Sequence, residues 1–273
     1  MQRLAVVLVL LAAVPLAAQS RPRKSTTPPA APAPAKAAPA ATPKKERTVP
    51  FKTGERLDYD IGWSTFLTAG TATVTVKEKK PSYGSTAYYI VAEGRPTPIV
   101  SKLYTLYYKA DTLLDSYSLL PQRASLYSEE GKRHRAKTTT FNQGTRKATY
   151  EVTTRTVVRK DLAVPGFTQD ALSAIYVLRS ISFKVGEKFN MPVSDNGNVY
   201  KVQMQVGASE PVKTGMGTIN GFKITPVITG PDKDSPRGVA LWISDDARRL
   251  PLKMEAQLLV GKVTVTLRQA GGV

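Results

Sequence analysis

Asp245 and Asp246 are the most suggestive acid pair in this sequence, because two carboxyls at one site can share a proton and divide acid and base roles. Adjacent positions of an extended strand point to opposite faces, so sharing requires an intervening turn. Arg248 and Arg249 follow within three residues, and nearby cations favour ionised carboxylates over a proton-donating acid. A turn fixed by Asp side chains and ion pairs is the expectation, with a partner-binding patch as its alternative. Asp170 reads as a residue of a helix N-terminus, and Glu129-Glu130 as a solvated hairpin tip.

Other reaction chemistries find little support. His134 is the only histidine and sits in Lys132-Arg133-His134-Arg135, where neighbouring cations disfavour the imidazolium that a Ser-His-Asp triad must form. Neither Gly-x-Ser-x-Gly nor Ser-x-x-Lys occurs. Cysteine is absent, which removes thiol nucleophiles, Cys-containing metal sites and the lipid-attachment Cys of a bacterial lipoprotein. Asp232 and Asp234 offer too few oxygens for a Ca²⁺ site. Gly215-Met216-Gly217 precedes strand-like alternation, not the helix a phosphate cradle needs. The sequence therefore predicts no catalytic residues, no metal and no cofactor.

Aromatic residues carry more information. Trp63, Tyr107, Tyr176 and Trp242 can line a groove for an acyl chain or stack on sugar rings, and core packing explains them equally well. With Arg179 and Arg249 they make up the candidate ligand-binding set.

The elements that must position these groups are mostly strands. Ala72, Val74 and Val76 alternate with threonines; Val202, Met204 and Val206 with Lys201, Gln203 and Gln205; Val263, Val265 and Leu267 with Thr264, Thr266 and Arg268. Met254, Ala256, Leu258 and Val260 alternate likewise. Period two marks half-buried strands. Glu130-Gly131, Gln143-Gly144, Asn196-Gly197, Asn220-Gly221 and Gly261-Lys262 are expected as tight hairpin turns. The fold class is thus mostly β, in antiparallel curved sheets, as two lobes or an open half-barrel. One helix is predicted near 168–180, capped by Thr168, with Leu172, Ile175, Tyr176 and Arg179 on one face. Phe51-Lys52-Thr53-Gly54-Glu55-Arg56-Leu57 also echoes Phe183-Lys184-Val185-Gly186-Glu187-Lys188-Phe189. Either a duplication or shared turn chemistry accounts for that.

The first residues supply an address. Arg3, an apolar run from Leu4 to Ala13 and the small residues to Ala18 have the layout of a signal peptide. The run is shorter than the ~20 residues that a membrane span requires. Residues 19–47 form a Pro/Ala/Lys-rich linker that cannot build a core, with an extended reach of roughly 80 Å. Residues 48–273 then form the β domain, whose two lobes would meet near 165–183. Net charge is +18 for the chain and +11 for residues 48–273. Anionic envelope partners are expected, such as lipid head groups, lipopolysaccharide or glycans, and nucleic acid is not.

Three segments together resemble a family of exported bacterial proteins, domain of unknown function 3108. They are Gly54-Glu55-Arg56-Leu57 with Tyr59, Trp63 and Ala69-Gly70; Thr168-Gln169-Asp170 with Ser173, Tyr176, Leu178 and Arg179; and Leu241-Trp242-Ile243-Ser244-Asp245-Asp246-Ala247-Arg248-Arg249-Leu250-Pro251. The resemblance implies an envelope β protein and brings no activity. The last segment is also similar to the curved-sheet carriers of lipoproteins or lipids. The expected function is non-enzymatic binding of an anionic envelope component in the periplasm or outside the cell. A carrier of a hydrophobic ligand and a carbohydrate-active enzyme using carboxylates are the alternatives.

Overall fold

The computed structural model describes residues 45–63, 67–230, 237–258 and 261–273. The expected signal peptide and most of the linker, with Asp232, Asp234 and Val260, lie outside them. The end of the linker is docked: Arg47 N donates to Ser116 O at 3.0 Å, and Glu46 meets Lys79 and Ser116.

Alternation yields one 15-stranded sheet whose neighbours in the strand order are all antiparallel. The first half is a meander of β1 (Arg56–Trp63), β2 (Leu67–Ser82), β3 (Ser85–Pro96), β4 (Leu106–Asp115), β5 (Pro121–Glu130), β6 (Arg133–Asn142), β7 (Lys147–Thr153) and β8 (Val157–Ala163). The second half comprises β9 (Lys188–Asn190), β10 (Val193–Asp195), β11 (Asn198–Thr214), β12 (Gly217–Thr229), β13 (Arg237–Ser244), β14 (Pro251–Leu258) and β15 (Gly261–Gly271). Pairing of β15 with β1 joins the halves, and the sheet curls without closing between edge strands β8 and β10. A short helix, α1 (Pro98–Leu103), links β3 to β4.

The echo seen in the sequence is repeated in the hydrogen bonds. Gly54 N donates to Val76 O and Val76 N to Glu55 O; Gly186 N donates to Val206 O and Val206 N to Glu187 O. Gly54 and Gly186 have φ of +90° and +85°, a region that glycine enters without Cβ strain. Each turn starts a strand, β1 or β9, that pairs with the strand carrying the Val, and a register shift follows each Val.

The helix α2 (Ala171–Arg179) joins the halves and packs on the inner face of the curl. Its cap is Asp170, not Thr168. Asp170 Oδ1 accepts from Leu172 N and Ser173 N at 2.9 and 3.0 Å, and Asp170 N donates to Ser173 Oγ. Thr168 Oγ1 donates instead to Pro165 O at 2.7 Å.

The turns need one clear correction. Asn220-Gly221 lies inside β12, and the hairpin turns at Gly215-Met216. Gly221 is small because a Cβ there would lie 2.9 Å from Leu252 Cδ1 and 3.0 Å from Ile243 O. In the turn holding Gln143-Gly144, the positive φ falls on Arg146. Asn196 and Gly197, with φ of 48° and 70°, turn β10 into β11 in the primed geometry that suits twisted strands.

Candidate ligand-binding site

Cross-strand register specifies which side chains face the inside of the curl. One row runs Leu57, Val74, Ala92, Ala110, Leu126, Lys137, Val152, Val158. The next runs Val76, Ile90, Thr112, Ala124, Thr139, Tyr150, Lys160. Both rows are apolar or small toward β1–β5 and each contains one lysine near the β8 edge. Thr112 meets the helix, donating to Asp170 Oδ2 at 2.8 Å.

Small residues in these rows leave room beside α2. One cleft, about 740 Å³ counted to its open mouth, is lined by Ala92, Ala110, Leu126, Lys137, Tyr150 and Ile175 among others. A second, about 540 Å³ on the same basis, is lined only by apolar residues, including Ala174, Ile175, Leu178, Val202, Ile224 and Leu241. Ala171 and Ile175 belong to both walls. Both figures include space open to solvent at the mouth. The enclosed cavities themselves are about 80 and 60 Å³, so both clefts are narrow and smaller than an ordinary small-ligand pocket. A thin apolar chain fits such a shape better than a globular ligand.

Polar groups gather at one end of the first cleft. Ser194 Oγ is buried there without a hydrogen-bond partner among the described residues. Lys137 Nζ donates to Asn196 Oδ1, and Lys160 Nζ donates to Gly197 O at 2.6 Å. These lysines bridge the seam where β8 and the β10–β11 turn approach without pairing. Burial pushes the Lys137 ammonium below its ordinary range, and the Asp195 carboxylate opposes that shift. Burial and Asp195 push the Tyr150 phenol up to about 12. Asp170 also lines this cleft, where burial raises its carboxyl despite three hydrogen bonds from Ser173 and Leu172 backbone and Thr112.

None of the six sequence-selected residues lines either cleft. Arg179 pairs with Glu55 through two bonds of 2.6 and 2.7 Å, both side chains wholly buried. Arg179 also donates to Arg249 O and Arg248 O, and stacks against Phe51 and Tyr176. Tyr176 is core, its hydroxyl 3.4 Å from Glu55. Arg249 lies over Phe183 and Phe222. The fold thus brings Tyr176, Arg179 and the Arg249 backbone together around a structural ion pair. Trp63, Tyr107 and Trp242 lie elsewhere. Trp242 packs between Lys223 and Lys253 and donates Nε1 to Glu210 at 2.6 Å. Tyr107 stacks near Tyr127 on the outer face of β4, below Arg95. Trp63 packs at the margin of the core formed by β1, β14 and β15.

The Asp245-Asp246 segment is a turn held by side chains. Asp246 accepts from Ser244, from Arg248 N and from the Arg248 guanidinium, while Asp245 accepts from Ser209. Lys137, which lines the cleft, and Lys160, exposed at the seam beside it, carry no signal of their own in the sequence because a lysine in an alternating strand is by default assigned outward. The missed signal was phase: Lys137 is in step with Thr139 and the buried Phe141 on β6.

The sequence pattern of a family described as "Protein of unknown function (DUF3108)" matches residues 58–268. The chain belongs to this family. No curated protein is significantly similar to it. Among solved structures, the DUF3108 chain resembles a β-barrel-like protein of domain of unknown function DUF1849 from Brucella abortus, at 13% identity and TM-score 0.50. That match covers 82% of this chain and 98% of the other, and it establishes a shared fold. A protein from Bacteroides fragilis described as exported, with a YmcC-like fold, is 8% identical at TM-score 0.37, covering 83% of this chain and 100% of the other. Within the DUF3108 chain, the three segments that carry the sequence resemblance converge on one point. Glu55 immediately precedes β1, Arg179 ends α2, and the Arg248 and Arg249 carbonyls complete the guanidinium's hydrogen bonds.

Proposed function

We infer that the protein is an exported, non-enzymatic binding protein that holds an apolar chain against the inner face of its curled sheet. The observation that carries this reading is the pair of narrow clefts flanking α2 and meeting at Ala171 and Ile175. Ligand sites of this kind are concave, mostly apolar and furnished with a few polar groups at one end. The leader-like residues 1–18 support delivery outside the cytoplasm. Among the described residues no helix is long and apolar enough to cross a membrane. Mass spectrometry of gently purified protein tests the reading. A bound mass that is released on denaturation and behaves as a lipid supports it, and a protein that stays bare after incubation with lipid extract counts against it.

A second reading, attachment to an anionic envelope surface, is favoured by the +11 charge of residues 48–273. It predicts binding to anionic vesicles that weakens steeply with salt. The reading as a carbohydrate-active enzyme draws less support, since Asp245 and Asp246 are held in the turn by their own hydrogen bonds.

A further inference from the structure

The seam of the curl is unusual in what holds it. Edge strand β8 and the β10–β11 turn come together with side chains where a closed barrel would use ladder hydrogen bonds. Tyr150 packs over Gly197, where a Cβ would lie only 2.7 Å from Tyr150 Cδ1. Lys137 and Lys160 reach across to two consecutive residues, Asn196 and Gly197. Register places both lysines on the inner face, in rows that are otherwise apolar or uncharged, with Lys160 at the end of its row and Lys137 two strands short of the end.

Their partners are neutral oxygens: the Asn196 amide for Lys137, and the Gly197 carbonyl and Asn198 amide for Lys160. Two ammonium groups drawn to one turn repel each other, and neutral acceptors offset that only in part. Asp195 and Glu130 supply nearby negative charges, and Arg135 adds a third positive one, so the cations still outnumber the anions. Ser194 Oγ, buried in the same cleft without a partner among the described residues, adds a hydroxyl. The apolar wall of Leu126 and Ala124 begins directly beside these groups.

Resting on the reading of an apolar-chain site, we propose that its ligand is a single-chain amphiphile with an anionic head. The chain lies in the clefts beside Ile175. The acidic head sits at the seam, accepting hydrogen bonds from Lys137, Lys160 and Ser194. Charge-assisted hydrogen bonds from ammonium groups to a carboxylate or phosphate are stronger than those to neutral oxygens. The head therefore displaces the lysines' present partners.

Dodecanoate, dodecyl phosphate and dodecanol separate the contributions of chain and head. The full chain is titrated with each by calorimetry below its micelle concentration. Both anionic ligands are expected to bind roughly ten- to hundredfold more tightly than dodecanol. Comparing the two shows whether carboxylate or phosphate is preferred. In the Lys137→Met, Lys160→Met double variant that preference should vanish, whereas Lys137→Arg with Lys160→Arg should keep it. Lys137→Met alone, which leaves the Lys160 strap intact, should reduce it. Equal binding of dodecanol and the anionic ligands by the unaltered protein overturns the proposal, as does a preference that survives removal of both charges. Failure of all three ligands to bind overturns the apolar-chain reading itself.

Discussion

Glu55 and Arg179 face each other through two parallel N–H···O bonds, with both side chains wholly shielded from solvent. The pair ties the first strand of the sheet to the end of α2, and through the Arg248 and Arg249 carbonyls to the β13–β14 turn. Removing one partner leaves an uncompensated buried charge. Glu55→Gln and Arg179→Met should each cost about 3–5 kcal/mol in urea unfolding. Glu55→Leu combined with Arg179→Met should recover a large part of that loss, since apolar replacement of a whole buried pair is often neutral. Equal losses in the single and double variants would contradict this account.

The helix cap gives a second prediction. Asp170→Ala removes an acceptor for two helix N–H groups and for Thr112, and should cost about 1–2 kcal/mol. Asp170→Asn, which keeps one acceptor oxygen, should cost less. Thr168→Ala should leave helix content unchanged by circular dichroism, because its hydroxyl serves Pro165 O and not the helix.

Much of this arrangement was legible in the sequence. Val202, Met204 and Val206 alternate and are all buried, as are Val263, Val265 and Leu267. The Phe51–Leu57 echo marked a turn whose hydrogen bonds recur at Phe183–Phe189. The Arg179 and Asp245–Arg249 segments pointed to real structural centres. Other features depend on contacts that no local pattern encodes. Asn220-Gly221 has turn chemistry, yet Gly221 answers to close packing by Leu252 and Ile243. Arg179 was a candidate ligand contact, but its partner Glu55 stands 124 residues away. The cleft itself comes from small side chains, Ala92, Ala110 and Ala124, aligned across β3, β4 and β5, which only the register reveals.

Acid sensitivity should change sign across the carboxylate range. Burial pushes Asp58, Asp115, Asp246 and Glu255 up, but hydrogen bonds and, for Asp58, Asp246 and Glu255, neighbouring cations hold all four below their ordinary values. Depressed groups stabilise the fold above their unfolded pKa, and that contribution is lost as pH falls through the folded values. Burial raises Asp111 and Asp170, so each adds stability as pH falls through its folded value and is fully protonated below the ordinary 3.8. Thermal melts should therefore show Tm level or slightly rising as pH falls from 6 toward the ordinary carboxylate values, then dropping below them. Asp170→Asn should flatten the upper portion. A steady decline beginning near neutrality would contradict the assignment.

The seam makes a steric prediction. Gly197 has φ of 70°, and an added Cβ would strike the Tyr150 ring. Gly197→Ala should destabilise the protein by about 1–3 kcal/mol. Adding Tyr150→Ala should not restore full stability, because the backbone strain remains. Hydrogen exchange in β8 should accelerate in Gly197→Ala before exchange in β1 does, since β8 is an edge and β1 is central.

The central claim is that the space beside α2 is a binding site for an apolar chain. Ile175, which borders both clefts, allows the most direct measurement. Titration of the protein with the neutral dye N-phenyl-1-naphthylamine should give saturable fluorescence at one site per chain. Ile175→Trp should fill the clefts and abolish that signal while the protein remains folded by circular dichroism. Absence of saturable binding, or an unchanged titration in Ile175→Trp, would contradict it.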